Sequence, residues 1–336
     1  MRIGLDIMGG DYAPRTTVGG AVLAAKELPA GARLVLFGDR DQIIPLLHEN
    51  KAKEEDFDIV HTTEVIEMAE SPLKSINQKP NSSIGLGFQQ LKSKEIDAFA
   101  SNGNTGAMMV GALYSVKTIE GIQRPCIATV VPKEDGGVGV LLDVGSNADC
   151  RPEVLCQFAV LGQIYSKCIY NIADPKVALL NIGEEEEKGN LVAQAAHQLL
   201  KDMKQINFIG NIEGRYIFDG GSADVIVCEG FVGNVVLKEA EAFYRIYRKR
   251  KMKDSFFDRF NYEIYGGTPI LGVNSTVVIG HGISNEVATK NMILLTSEMA
   301  AAGCEVVFGV KRIGLLAINH HLGPFFMFVV VNGSAI

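Results

Sequence analysis

The stretch DAFASNGNTGAMMVGAL, residues 97–113, contains a strand, a glycine turn and a helix in immediate succession. The strand-like run 97–100 leads into the turn, and Thr105 and Gly106 open a segment with helical spacing. The first turn of a helix leaves backbone N–H groups unpaired and carries the positive end of the helix dipole. The junction therefore predicts an anion-binding site.

The same alternation of strand and helix continues through most of the chain. Runs of Val, Ile and Leu without strict alternation indicate strands that are buried on both faces. Predicted strands cover 3–6, 34–37, 59–61, 98–101, 128–131, 138–143, 177–181, 207–209, 225–228 and 277–279. Predicted helices cover 16–28, 42–50, 83–92, 105–118, 152–166, 190–203, 232–251 and 285–301. The expected fold class is α/β, with a mostly parallel, doubly wound sheet.

The composition is that of a globular protein with a large core. The 336 residues are 47% hydrophobic and 21% charged, which suits one large domain or two lobes. The net charge of -7 does not favour nucleic acid as a partner. We expect a cytoplasmic protein with reduced thiols, because the N-terminus shows no signal pattern and the six cysteines form no CxxC pair. A catalytic cysteine stays an alternative, although no neighbouring histidine pattern supports it.

Familiar catalytic and cofactor signatures are absent from the sequence. It contains no GxxxxGK[ST] nucleotide loop and no GxGxxG after a strand. It also contains no HExxH, no Cys/His metal spacing and no GxSxG elbow. We therefore expect no metal and no cofactor.

Polar glycine motifs follow five of the predicted strands. Because the carboxyl ends of parallel strands meet at one edge of a sheet, we expect all five motifs to cluster there. Their backbone N–H groups and polar side chains suit a phosphate or a polarised carbonyl oxygen, although a single glycine turn is more often only a turn. The motifs are DIMGGD (6–11), NGNTG (102–106), DVGSN (143–147), NIG (181–183) and EGFVGN (229–234).

Two charged segments each allow a structural and a functional interpretation. Lys188 follows the acidic run 184–187, and it is either a solvated neighbour of a helix start or the point charge that holds a phosphate. The second segment is basic, lies at the end of a long helix and is followed by phenylalanines. It is either a solvated helix end or a patch that grips an anionic membrane or an acidic protein. Its residues are Arg245, Arg248, Lys249, Arg250, Lys251, Phe256 and Phe257.

The long helix before this basic segment has an apolar stripe at helical spacing, which predicts a face packed on the core. The stripe consists of Val232, Val236, Ala240, Phe243 and Tyr247.

Taken in order, the motifs of the chain resemble one protein family. They are DIMGGDYAP, SNGNTGA, QRP, LLDVGSN, NIGEEEEKGN, FIGNIEGR, DVIVCEGFVGNVVLK and YGGTPILGVN…HG. They resemble the bacterial phosphate acyltransferases, which move a fatty acyl group from acyl carrier protein to inorganic phosphate. The resemblance implies a Rossmann-like three-layer α/β/α fold related to phosphotransacetylases and to isocitrate and isopropylmalate dehydrogenases.

The resemblance also implies partners and a place in metabolism. Such proteins act as homodimers and associate peripherally with the inner face of the cell membrane. Their product, an acyl phosphate, is consumed by a downstream membrane acyltransferase that acylates glycerol 3-phosphate in phospholipid synthesis. Acyl carrier protein is strongly acidic, so the basic segment at 245–253 is a candidate docking patch for it, or for the membrane.

Particular residues match those that the family is thought to need. Phosphate is already a nucleophile at neutral pH, so the protein has to bring two substrates together and stabilise an oxyanion. Lys188 would hold the phosphate or the charge that develops during transfer, and Asn234 would donate to the thioester oxygen or to phosphate. Asp6 and Asp11 are expected to fix loops rather than to act as bases. The predicted phosphate-binding loops contribute Asp6, Gly9, Gly10, Gly103, Asn104, Thr105, Gly106, Asp143, Asn147 and Gly233.

The sequence departs from the family pattern in three places. Asn102 stands where alanine is common, and Ser275 stands where glycine is common. After about residue 303 the resemblance fades into an apolar tail that carries no charge beyond Arg312. We expect a single α/β acyltransferase domain over residues 1–303, as one unit or two lobes, and an atypical tail over 304–336 that is buried or interfacial.

Three other functions remain open on the sequence alone. One is a phosphotransacylase that uses a short-chain acyl-CoA. Another is a nicotinamide-dependent decarboxylating dehydrogenase, which the missing dinucleotide fingerprint and acidic metal cluster disfavour. The third is a non-catalytic membrane scaffold for lipid-synthesis enzymes, which would keep the basic segment but would not need Lys188 or Asn234.

Overall fold

The computed structural model describes residues 1–303, which contain eleven strands and ten α-helices. The strands are β1 (Arg2–Asp6), β2 (Arg33–Gly38), β3 (Asp58–His61), β4 (Ala98–Ser101), β5 (Cys126–Pro132), β6 (Val138–Leu142), β7 (Lys176–Asn181), β8 (Asn207–Glu213), β9 (Val225–Val227), β10 (Thr268–Leu271) and β11 (Thr276–Ile279). The helices are α1 (Arg15–Ala25), α2 (Arg40–Glu49), α3 (Pro72–Gln78), α4 (Ser83–Ser93), α5 (Thr105–Ser115), α6 (Pro152–Tyr170), α7 (Leu191–Asp202), α8 (Gly230–Lys249), α9 (Tyr262–Tyr265) and α10 (Glu286–Ala302). The predicted tail over 304–336 lies outside the described residues.

All ten predicted strands and all eight predicted helices are present, with ends that move by a few residues. Sequence patterns missed β10 and the short helices α3 and α9. Strand β10, with the sequence TPIL, is only four residues long and contains Pro269, which argued against a strand. It is nevertheless placed at the centre of the sheet.

The sheet is continuous, but its direction reverses in the middle. The strand order is β3-β2-β1-β4-β11-β10-β5-β6-β9-β7-β8. Pairing is parallel within β3-β2-β1-β4-β11 and within β6-β9-β7-β8. The three pairings between these groups, β11 with β10, β10 with β5 and β5 with β6, are antiparallel. The two parallel groups, which we call the first and second lobes, therefore run in opposite directions.

This reversal corrects the expectation that all five glycine motifs share one edge. The carboxyl ends of β1, β4 and β11 form a first edge, which carries the motifs at 6–11 and 102–106. The carboxyl ends of β6, β7 and β9 form a second edge on the opposite side of the sheet, which carries the motifs at 143–147, 181–183 and 229–234.

Helices cover both faces of the sheet and give three layers. One buried cluster joins one face of the sheet to α1, α2, α6, α7 and α10, with Leu47, Phe158 and Met292 among its members. A second cluster joins the other face to α4 and α5, through Phe88 and Met108. The absence of strict alternation in the strands follows from this burial on both faces.

Helix α8 runs from the second edge toward the first. Its 20 residues span about 30 Å. It begins beside the loop after β6, and midway the Glu241 carboxylate lies 3.9 Å from Nε2 of His281, in the loop after β11. Just beyond its end, Arg259 donates to the carbonyl oxygens of Lys133 and Gly137 at the β5–β6 turn.

The apolar stripe predicted for α8 is only partly packed on the core. Tyr247 is buried, and Val236 and Ala240 are half-buried. Val232 and Phe243 are exposed, Phe243 by 67% of its surface. Part of the exposed surface of α8 is therefore apolar.

Candidate active site

The loop after β6 is organised by one buried carboxylate. Asp143 is fully buried, and its oxygens accept hydrogen bonds from the backbone N–H groups of Ile127 (3.0 Å), Ser146 (3.3 Å) and Asn147 (2.6 Å). The Ser146 hydroxyl (2.7 Å) and the Asn147 side-chain amide (3.0 Å) also donate to it. All these donors come from the protein, so Asp143 and Asn147 shape the loop. The Asp143 carboxylate is therefore engaged within the protein, and phosphate binding by Asp143 and Asn147 stays a prediction.

The same loop fixes the start of α8. The Gly230 N–H donates to the carbonyl oxygen of Asn147 at 2.6 Å, and Glu229 caps the helix by accepting from the Val232 N–H at 3.1 Å. A Cβ at Gly233 would overlap the carbonyl oxygen of Asp143, so glycine permits this close approach. Gly233 thus brings the first turn of α8 against the loop after β6.

Asn234 follows directly and is exposed beside Gly145. A Cβ on Gly145 would lie 3.6 Å from Oδ1 of Asn234, and the φ of +127° at Gly145 suits glycine. Among the described residues, nothing hydrogen-bonds to the Asn234 side chain or to the Phe231 N–H in the first turn of α8. An amide side chain and a helix N-terminus are therefore both available to an oxyanion.

Lys188 lies on the loop after β7, which Asn181 holds in place. The Asn181 side chain donates to the carbonyl oxygen of Lys188 at 3.1 Å and accepts from the Ile182 N–H at 2.9 Å. Gly189 has a φ of +88°, and a Cβ there would overlap Oδ1 of Asn181. The Lys188 ammonium is 4.0 Å from Glu185, at the limit of an ion pair, and its side chain is 46% exposed. Such an exposed pair holds the ammonium only weakly.

Sheet register brings the loops of Lys188 and Asn234 together. Strands β7 and β9 are parallel neighbours, with Leu179 opposite Val227, and adjacent strands lie about 4.8 Å apart. A cation, an amide and a helix N-terminus thus reach the second edge from neighbouring strand ends. This combination suits a phosphate next to a carbonyl group whose oxygen gains charge.

The predicted anion cradle at the first edge is mostly occupied by internal hydrogen bonds. Ser101 donates to Asp6 at 2.6 Å and accepts from the Gly103 N–H at 2.8 Å, and Met8 N–H donates to Asp6 at 3.0 Å. Burial raises the pKa of Asp6, and the hydrogen bonds from Ser101 and Ser83 oppose that rise. Asp6 therefore fixes the loop, as expected.

The glycines of the first loop serve the same packing. A Cβ on Gly9 would overlap the Asp6 carboxylate, and Gly10 adopts a φ of +107° beside Asn102. Glycine at these two positions lets the backbone pack closely at the first edge. Lys188 and Asn234 lie at the second edge, on the opposite side of the sheet.

The α5 N-terminus is covered by another segment of the chain. Asn104 is buried and caps α5 through the Ala107 N–H at 2.9 Å. Its side-chain nitrogen contacts the carbonyl oxygens of Glu67, Met68 and Glu70 at 3.0–3.2 Å. A Cβ on Gly106 would overlap Pro72 of α3, so only Thr105 of this turn is exposed. An acidic segment over this helix start disfavours an anion there, and phosphate binding by Thr105 and Gly106 stays a prediction.

The basic segment lies at the far end of α8. All six cationic side chains of 245–253, Lys253 included, are exposed. Phe256 is half-buried and Phe257 exposed; their rings meet edge to face with centres 5.3 Å apart, and Phe257 also contacts Tyr247. The segment is therefore a charged surface with a small aromatic cluster beneath it, and its partner stays a prediction.

Four of the five cysteines of the described region are poor nucleophiles. The five there are free thiols, and burial raises the pKa of Cys150 and Cys156 to about 12. Burial also raises the pKa of Cys126 and Cys228 well above the ordinary thiol value. Thiols held protonated in this way do not serve as attacking groups at neutral pH.

Residues 1–303 contain neither a group of metal-ligand side chains nor a membrane-spanning helix. In that part of the chain, no three His, Cys, Asp or Glu side chains are grouped as metal ligands. No helix within it has the length and apolar character needed to cross a membrane.

Sequence patterns missed several residues that position the site. Asn181 and Gly145 lie within recognised motifs, but only the structure shows that Asn181 holds the Lys188 loop and that Gly145 faces Asn234. The contact of Glu241 with His281 was not predicted, because 40 residues separate them in the sequence.

Solved structures with this architecture define the class of fold. A phosphotransacetylase from Streptococcus pyogenes matches with a TM-score of 0.65 and 18% identity, over 90% of this chain and 94% of that one. The EutD phosphotransacetylase from Staphylococcus aureus matches with a TM-score of 0.60 and 17% identity, over 89% and 94%. The fold is of the phosphotransacetylase type, which confirms the predicted three-layer α/β/α class.

Sequence relatives then identify the family. The family model described as "Fatty acid synthesis protein" matches residues 1–307. The phosphate acyltransferase of Dictyoglomus turgidum is 42% identical over 318 residues, 89% of this chain and 94% of that protein. The phosphate acyltransferase of Pelotomaculum thermopropionicum is 45% identical over 317 residues, 89% and 91%. The chain belongs to the phosphate acyltransferase family, which confirms the family and the acyltransferase class predicted from sequence.

Proposed function

We propose that this protein transfers an acyl group from a thioester to inorganic phosphate at the second sheet edge. The product, an acyl phosphate, would serve the acylation of glycerol 3-phosphate in phospholipid synthesis. The observation that carries the proposal is the pair Lys188 and Asn234, which reach one edge from neighbouring strand ends with their polar groups available. Membership of the phosphate acyltransferase family supports the same reaction.

The reaction needs placement and charge stabilisation more than a protein nucleophile. A phosphate oxygen attacks the thioester carbonyl carbon and forms a C–O bond, while the carbonyl oxygen becomes an oxyanion. The C–S bond then breaks, its electron pair leaves on sulfur as a thiolate, and acyl phosphate is released. Lys188 holds the phosphate, and the Asn234 amide donates to the oxyanion. One such donor contributes about 3–4 kcal/mol to the transition state.

Acyl carrier protein is the proposed acyl donor, and the basic segment is its docking surface. Counted along α8, this segment lies roughly 15–25 Å from Asn234. An acidic carrier docked there would deliver its thioester to Asn234 on an extended arm. Local attraction of this kind overcomes the net negative charge of the chain, because screening limits repulsion to about 8 Å.

A homodimer that contacts the inner face of the cell membrane is also part of the proposal. The exposed apolar residues Phe243 and Ile246 of α8 support pairing with a second copy. The basic residues and aromatic cluster beyond that face support contact with anionic lipid and with a downstream membrane acyltransferase. Both follow the expectation set by the family resemblance.

The test compares acyl donors at equal concentrations of phosphate. A long-chain acyl thioester of acyl carrier protein should yield acyl phosphate faster than butyryl-CoA does. The reverse preference would favour a short-chain phosphotransacylase. Turnover only with NAD and a hydroxy acid would indicate a dehydrogenase. If neither thioester reacts while the protein still binds lipid, the scaffold interpretation replaces this one.

A further inference from the structure

Large apolar residues close in sequence to Lys188 and Asn234 stay out of the core. Ile182 and Leu191 expose 81% and 83% of their surface. Phe231 and Val235 expose 65% and 47%. None of the four belongs to either buried cluster, so folding of the described chain does not explain their apolar character. A group of exposed apolar residues beside a candidate reaction site indicates a ligand surface.

Sheet geometry brings the segments that carry these side chains to the same edge. Ile182 is the first residue after β7, and Phe231 is the second residue of α8, which follows the neighbouring strand β9. Leu191 begins α7 directly after the loop of Lys188. Val235 lies one turn beyond Phe231 on α8. The surface, which we call the edge patch, thus consists of Ile182, Leu191, Phe231 and Val235.

We infer that the edge patch binds the acyl chain of the thioester substrate. This inference rests on the function proposed above, because a carbonyl group held at Asn234 forces the first methylenes of its chain to leave from that point. Each methylene removed from water contributes about 0.8 kcal/mol, so an apolar lining there favours long chains over short ones. The ligand is the hydrocarbon chain of a fatty acyl group.

Charge around the edge patch favours this occupant over a membrane. The acidic run 184–187 is exposed between Ile182 and Leu191 and would repel an anionic lipid surface, whereas a neutral hydrocarbon chain is unaffected. A second copy of the chain has a better surface at Phe243, about 18 Å farther along α8 than Phe231. The edge patch is thus distinct from the basic segment and from the proposed dimer face.

The experiment measures kcat/KM for butyryl and decanoyl thioesters with inorganic phosphate. The variants are Phe231→Ala and Ile182→Ala, with Ile209→Ala as the matched control, since Ile209 is an exposed isoleucine on β8 away from the edge. We expect kcat/KM of each patch variant to fall about tenfold with the decanoyl substrate and less than about twofold with the butyryl substrate. The control should match wild type with both.

Three results would overturn the inference. Equal losses with both substrates would mean that the residues position Asn234 and do not bind the chain. A change in oligomeric state in Phe231→Ala or Ile182→Ala, measured by light scattering, would assign the patch to a second copy. If wild type converts neither thioester, the proposed function itself fails, and that outcome is recognisable because it does not depend on any variant.

Discussion

Replacing Asp143 by asparagine tests whether the loop after β6 is a scaffold or a phosphate ligand. The sequence placed Asp143 among the phosphate-binding residues, whereas its carboxylate accepts five hydrogen bonds from the protein itself. An asparagine keeps the size of the side chain and turns one acceptor oxygen into a donor. If that group faces Asn147, it meets both the backbone N–H and the side-chain amide of Asn147.

The expected cost follows from those contacts. Two hydrogen bonds to a charged acceptor are lost, and each contributes about 1.5–3 kcal/mol. The free energy of unfolding of Asp143→Asn should therefore be about 3–6 kcal/mol lower than that of wild type. For a chain of this size the melting temperature should fall by roughly 10 °C. The Asn147 carbonyl oxygen also accepts from the Gly230 N–H. The start of α8 should therefore loosen in Asp143→Asn, and activity should fall together with stability.

Urea unfolding and acyl phosphate formation are measured on the same preparations. Asp135→Asn is the control, since Asp135 is exposed and its side chain accepts from the backbone N–H groups of Gly137 and Gly221, so its variant should stay within about 1 kcal/mol of wild type. If Asp143→Asn keeps wild-type stability but no longer binds phosphate, Asp143 is a ligand residue and the scaffold argument is wrong.

Two further predictions concern the first edge. Burial raises the pKa of Asp6 above its ordinary value of 3.8, so Asp6 stabilises the fold below that value and loses this contribution as the pH rises through the folded-state pKa. The urea stability of wild type relative to Asp6→Asn should therefore decrease from about pH 4 to neutral pH; an increase would contradict the sign. A Cβ on Gly280 would overlap Oδ1 of Asn102, which is buried without a partner among the described residues. Gly280→Ala should cost about 1–3 kcal/mol alone and less than half of that in an Asn102→Ala background; additive costs in the double-mutant cycle would rule out this clash.

Local sequence was sufficient for most of the fold because the strands are buried on both faces. Runs such as 98–101 and 225–228 have no polar side, so their strand character shows in composition alone. The reversal at β10 does not show in this way. The strand propensity of a segment carries no information about whether the neighbouring strand runs parallel or antiparallel to it. That relative direction decides which loops share an edge.

The candidate site was partly predictable for the same reason. Lys188 and Asn234 follow strands that the sequence identifies, and the structure makes those strands neighbours. Asn104 shows the limit of the approach. An asparagine before a helix fits both a cap and a ligand, and only the carbonyl groups of the segment 67–70, far away in sequence, decide that its side chain is engaged.

The most direct test of the central claim is phosphate-dependent formation of acyl phosphate by wild type and Lys188→Ala. Lys201→Ala is the matched control, because Lys201 is an equally exposed lysine that pairs with Glu186 of the same acidic run. We predict turnover by wild type and by Lys201→Ala, and a loss of at least about 100-fold in Lys188→Ala with unchanged urea unfolding. Equal turnover by the two lysine variants would contradict the account and leave Lys188 as a solvated neighbour of a helix start.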